Sequence, residues 1–150
     1  RLNLWPDPEM LKQTIQECLP YADILKISDD ELAFITGMDS EADGITALLK
    51  TEPKLLIFTK GSKGADLYFK GEKTSIEGIS VKAVDTTGAG DSFIGSFLYQ
   101  IAGKDAWEDC TLDEIREMGL FANRVAALVT TRPGGMQSIP TMQEVLRSEG

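Results

Sequence analysis

Val84-Asp85-Thr86-Thr87-Gly88-Ala89-Gly90-Asp91-Ser92-Phe93 is the stretch on which the reading of this chain turns. The residues leading into it, Ser80 to Val84, read Ser-Val-Lys-Ala-Val and predict a short strand. Those following it place Phe93, Ile94, Phe97, Leu98 and Ile101 at the spacing of a helix with one buried face. Glycines at the junction permit a tight turn and let a ligand come close to the backbone. The first amides of the new helix point at whatever sits in front of them, and the helix dipole favours negative charge there. Asp91 does not suit a loop that only holds an anion, because a carboxylate repels phosphate. It suits a loop in which a proton is taken, or a hydroxyl oriented, beside a developing oxyanion. Aspartate is also favoured at helix starts for capping alone, so both readings stand at this level. The stretch is neither common phosphate loop. No Gly-Lys-Ser/Thr follows at P-loop spacing, and Phe93 stands where a dinucleotide fingerprint needs its third glycine.

Composition narrows the chemistry. The 150 residues fit one domain, and 42% hydrophobic with 26% charged residues is ordinary for a globular chain. No apolar run approaches the roughly 20 residues needed to span a bilayer, so no membrane role is expected, and no signal peptide is visible. A net charge of −9 without a Lys/Arg cluster argues against nucleic acid as a partner. Histidine is absent, which excludes Ser-His-Asp and Cys-His catalysis and the usual zinc sites. Cys18 and Cys110 lack metal-ligand or CxxC spacing and read as reduced thiols of a cytoplasmic protein.

The remaining chain alternates strands and helices, which predicts an α/β fold. Leu2, Leu4 and Trp5 read as the tail of a strand or loop. Asp7-Pro8 starts a helix that ends at Pro20, and Ala22 to Ile27 forms a buried strand. Ser28-Asp29-Asp30-Glu31 is a capping box opening a helix to Gly37, and another helix spans Ser40 to Lys50. Leu55 to Thr59 is a second buried strand, Lys60 to Gly64 a turn, and Ala65 to Phe69 a returning strand, followed by short antiparallel pieces. Thr111 and Glu114 box the start of a long helix that stops before Arg132-Pro133-Gly134-Gly135, and a last helix begins at Thr141. Ligands of such a fold bind at the carboxyl ends of its strands, where Glu31, Gly61 and Asp91 fall.

Asp85 to Phe93 resembles the signature of the ribokinase-like (PfkB-type) carbohydrate kinases. The resemblance implies a three-layer α/β/α sandwich with a mostly parallel sheet, of which this chain is a single-domain C-terminal half. Gly88, Ala89 and Gly90 would then supply backbone donors to the transferring phosphate, with Asp91 as base for the acceptor hydroxyl. Thr59, Gly61, Ser62 and Gly64 match a turn that lines the family's nucleotide cleft. Lys60, off the family pattern, could reach a phosphate or be solvated. Asn123 matches the adenine-side helix, and Thr130 to Gly134 the run after it. Glu31 matches a family Glu that organises magnesium and phosphate, although Ser28 stands where Asn is usual. Many members hold potassium beside the anion turn, where Asp85, backbone oxygens near Thr87, Val129 and Gly134, and the Ser138 side chain would lie.

The resemblance implies ATP and a small sugar as substrates, Mg2+ and in many members K+. Arg1 to Pro6 and Lys26 to Leu32 look most like fructokinases, with 2-keto-3-deoxygluconate kinases as the alternative sugar kinase and a non-catalytic nucleotide-binding homologue as the alternative class. The chain opens without an initiator Met, and members are about twice its length by the resemblance. It is therefore expected to be a fragment lacking the N-terminal half with its lid, through which family members often dimerise, and to be inactive alone.

Overall fold

The computed structural model describes residues 5–148, so the expectations for Leu2 and Leu4 lie outside the described residues. Four strands, β1 (Ile24–Ser28), β2 (Leu55–Thr59), β3 (Gly64–Phe69) and β4 (Glu72–Glu77), lie in the order β1-β2-β3-β4. β1 runs parallel to β2, with Ser28 opposite Thr59, while β2–β3 and β3–β4 are antiparallel. Connection length explains the difference. Between β1 and β2 the chain makes two helices, α2 (Asp29–Thr36) and α3 (Glu41–Leu49), which gives the crossover a parallel pair needs. Between β2 and β3 there is only the 3-10 turn Gly61–Lys63, so the chain must return antiparallel. Among the described residues the sheet is thus mixed, with its parallel part confined to β1 and β2.

Side-chain alternation divides the core into two layers. Leu55 and Ile57 of β2, Ala65, Leu67 and Phe69 of β3, and Ile76 of β4 pack on α4 (Ala89–Ile101) and α5 (Leu112–Thr130) through Phe93, Phe97, Ile115, Met118 and Ala122. Leu56 and Phe58 turn the other way, onto Ile27 of β1, Leu32 and Ile35 of α2, and Ile45 and Leu48 of α3. Leu19, just after α1 (Pro8–Cys18), closes that layer. Covering on both faces is why β2 reads as an unbroken apolar run. The result is three layers, helix on sheet on helix.

Helix starts follow their sequence signals. Asp7 accepts from the Glu9 amide ahead of Pro8, and full capping boxes form at Ser28/Glu31, Thr111/Glu114 and Thr141/Glu144, the last opening α6 (Met142–Arg147). Lys104 and the Thr111 amide hold the Glu114 carboxyl down at about 2, and Arg132 and the Thr141 amide do the same for Glu144. Both groups are depressed from 4.5, so what they contribute is present above that value and lost as pH falls toward about 2. Glu144→Gln is expected to flatten part of that acid-side loss, read as the difference between urea-unfolding midpoints at about pH 7 and about pH 3. The effect is small because the pair is exposed.

One expected element is absent. Residues 80–84 do not form a strand. The amides of Val84 and Asp85 both donate to the carbonyl of Thr130, at 2.7 and 3.1 Å. That carbonyl ends α5, so the segment's donors are satisfied by a helix terminus and not by a sheet neighbour.

Candidate active site

Gly88 has φ +81, the left-handed conformation in which glycine is at ease, and it turns the chain into α4. The Ala89 amide donates to the Thr86 carbonyl at 3.2 Å, and the Ser92 amide to that of Gly88 at 2.8 Å. Among the described residues the amides of Gly88, Gly90 and Asp91 have no protein acceptor. Two of the three backbone donors expected from the sequence are therefore open, and Ala89's is engaged in the turn. The Asp91 amide, not assigned from sequence, joins the open set. Unsatisfied amides at a helix start are an anion-binding arrangement.

A cation stands beside them. A Cβ built on Gly90 would lie 3.2 Å from Lys26 Nζ. Lys26 projects from β1, its side chain only 17% exposed, and sits 3.5 Å from a Glu31 carboxylate oxygen. Sequence reading gave it no role. The available signal was a lysine inside an otherwise apolar strand, two residues before a helix cap.

Around this point lies a cleft of about 600 Å³. The carboxyl ends of β1 and β2 supply Lys26, Ser28 and Thr59, the following turn supplies Gly61, Ser62 and Gly64, and α5 supplies Asn123. Ala89 and Gly90 complete the wall, so the residues expected to hold a nucleotide share one cavity with half of the anion turn. Segment 78–83 also borders the cleft, next to the turn at Gly61 to Gly64. It presses close: a Cβ on Gly78 would fall 1.8 Å from the Ser62 carbonyl oxygen, and one on Gly64 2.0 Å from that of Ile76. Asn123 is buried at the cleft, and its side-chain amide donates to the Glu77 carbonyl at 2.8 Å. It braces the end of β4 against α5, a role the sequence did not show.

Asp91 faces elsewhere. Its exposed side chain lines a second hollow of about 580 Å³, with Thr87, Gly88, Ser92, Tyr99, Phe121 and Met136. The first turn of α4 thus borders two chambers, with Ala89 and Gly90 lining the cleft and Gly88 and Asp91 lining the other.

The cation candidates differ in fit. Glu31 accepts from the Ser28 amide at 2.8 Å. Burial pushes its carboxyl up, but the Ser28 amide and the Lys26 ammonium outweigh this and hold it below the usual range. A single carboxylate of this kind fits a magnesium ion carried mainly by phosphate and water. Asp85 accepts from the Thr87 amide at 2.9 Å and from the Gly134 amide at 3.2 Å, joining the anion turn to the loop after α5. Thr87 and then Gly134 hold its carboxyl below the usual range. Ser138, 1% exposed, donates to the Gly135 carbonyl at 2.6 Å in the same corner, and Val129 lies in the last turn of α5. One carboxylate among backbone and hydroxyl oxygens is a donor set for a monovalent ion, and it lacks the charge a divalent one prefers.

The Lys60 ammonium is paired with Asp66 at 2.9 Å.

The description "pfkB family carbohydrate kinase" matches residues 1–142. The chain belongs to the pfkB family of carbohydrate kinases. This pfkB-family chain is 42% identical over 153 aligned residues to "Probable fructokinase-5" of Arabidopsis thaliana, covering 99% of the chain and 47% of that protein. Its fold is ribokinase-like. It superposes with a TM-score of 0.91 and 32% identity on a double-mutant fructokinase of Vibrio cholerae O395 bound to fructose, ADP and potassium, over 98% of this chain and 47% of that one. Aminoimidazole riboside kinase of Salmonella enterica, complexed with its riboside and an ATP analogue, gives 0.86 and 26% over 98% and 48%. The pfkB-family chain spans about half the length of the relatives it matches.

Proposed function

We propose that this chain is the nucleotide-binding and catalytic half of a cytoplasmic, ATP-dependent fructokinase. The observation that carries the proposal is the start of α4, where open amides lie at the border of two chambers and Asp91 lines one of them. The nucleotide lies in the cleft with its γ-phosphate at the Gly88, Gly90 and Asp91 amides, and the sugar hydroxyl lies on the Asp91 side. Phosphoryl transfer through a loose transition state asks for positioning and charge stabilisation more than covalent help. Fixed amides provide both without reorganising as charge moves onto the phosphoryl oxygens. Lys26 adds a positive charge at the same spot, Asp91 accepts the hydroxyl's proton, and Glu31 holds Lys26 in place. Glu31 would help to hold magnesium bound mainly through the phosphates, which would supply charge neutralisation there, and Asp85 with the neighbouring backbone and Ser138 oxygens would hold a potassium ion. Fructose is favoured over other sugars by the similarity to fructokinases.

Release of ADP by the full-length protein, assayed with fructose, 2-keto-3-deoxygluconate and ribose in turn, tests this. Fructose-dependent release is expected, and sugar-independent or absent release contradicts it. Lys26→Met should reduce kcat/KM by about 10- to 100-fold, the range for losing one charged contact to a transferring group, without lowering Tm appreciably.

A further inference from the structure

Asp66 is 1% exposed, and the pocket chemistry described so far does not use it. It sits on β3 opposite Phe58 and Ser75, on the sheet face turned away from α4 and α5. One carboxylate oxygen accepts from Ser75 Oγ at 2.7 Å, and the other meets Lys60 Nζ at 2.9 Å and Lys73 Nζ at 2.8 Å. Burial pushes this carboxyl up, yet Lys73, Ser75 and Lys60 together hold it below the usual range. A buried ion cluster of this kind is weak evidence for stability, since packed apolar groups often do as well. It does fix geometry. Lys60 is the residue that closes the cleft turn: its amide donates to the Gly64 carbonyl at 2.8 Å, and its carbonyl accepts from the Lys63 amide at 3.0 Å. The turn lies flush on Gly78, whose added Cβ would strike the Ser62 carbonyl, and the neighbouring Glu77 carbonyl holds Asn123. A shift at Lys60 is therefore passed to both walls of the cleft.

We propose that Asp66 is a positioning residue for nucleotide binding: it pins the Lys60 side chain and so sets the Lys60–Gly64 turn against segment 77–79. The inference rests on the cleft being the nucleotide site. Lys73 supplies an internal control, because it pairs with the same carboxylate oxygen from β4, outside the Lys60–Gly64 turn that borders the cleft. In the full-length protein, Lys60→Met and Asp66→Asn should each raise the KM for ATP about tenfold, with kcat and the sugar KM nearly unchanged, as loss of one charge-assisted contact converts. The double variant should be no worse than the poorer single one, because the two residues act through one link. Lys73→Met should lower Tm and leave the KM for ATP near that of the parent. If Asp66→Asn does not fold, Lys60→Met against Lys73→Met decides. An unchanged KM for ATP in Lys60→Met, or an equal rise in Lys73→Met, overturns the inference while leaving the cleft reading intact. A parent protein that fails to bind ADP in calorimetric titration overturns both.

Discussion

Asp91→Asn in the full-length protein is expected to lower kcat with fructose at least about a hundredfold, within the range a positioned general base supplies. ATP affinity should change little. The reason is the division of the site: the Asp91 side chain belongs to the second hollow, while other residues line the cleft proposed for the nucleotide. Asparagine keeps the size and polarity of the side chain, so the start of α4 and its amides stay where they are. What is lost is the ability to take the hydroxyl's proton. Steady-state kinetics with both substrates varied would show the fall in kcat with a steady KM for ATP. A variant with parental kcat would mean that Asp91 only caps α4, the reading its position alone also allows.

The largest loss of stability is expected from Gly64→Ala. Gly64 has φ +95 and ψ −139, a region essentially reserved for glycine. A Cβ there would lie 2.0 Å from the Ile76 carbonyl oxygen, and backbone on both sides of the hairpin would have to move apart. Strain and overpacking together should cost at least about 3 kcal/mol. Gly61→Ala is the natural comparison. It also has positive φ, +53, but nothing lies within 4 Å of its added Cβ. It should cost only about 1–2 kcal/mol, the left-handed penalty by itself. Urea unfolding of the two variants would separate steric contact from backbone strain. Similar losses in both would contradict the close approach of the turn to segment 76–78.

Much of this was legible because local signals and tertiary needs agree. Ser28/Glu31, Thr111/Glu114 and Thr141/Glu144 announce helix starts through hydrogen bonds made within four residues, and each forms as read. The apolar run of β2 declared burial on both faces. Residues 80–84 failed the same logic: β-branched alternation predicts a strand, but a ladder needs a neighbour, and the Thr130 carbonyl competed for Val84 and Asp85. The return of β3 against β2 was legible too, since strand direction follows connection length and the turn at Gly61–Lys63 is too short for a crossover. At the site, Gly88, Gly90 and Asp91 were singled out by the family resemblance, since spacing alone left capping as an open reading. Lys26, the Asn123–Glu77 bond and the Lys60–Asp66 pair could not be read, because each joins residues brought together only by the fold.

The most direct measurement is a crystal structure of the full-length protein with ADP, fructose and an aluminium fluoride mimic of the phosphoryl group. The mimic is expected within about 3 Å of the Gly88, Gly90 and Asp91 amides, the distance of a preorganised oxyanion donor. The fructose hydroxyl should lie in line with it, hydrogen-bonded to the Asp91 carboxylate. A mimic seated away from those amides, or an acceptor hydroxyl with no contact to Asp91, would contradict the assignment of the α4 start as the place of phosphoryl transfer.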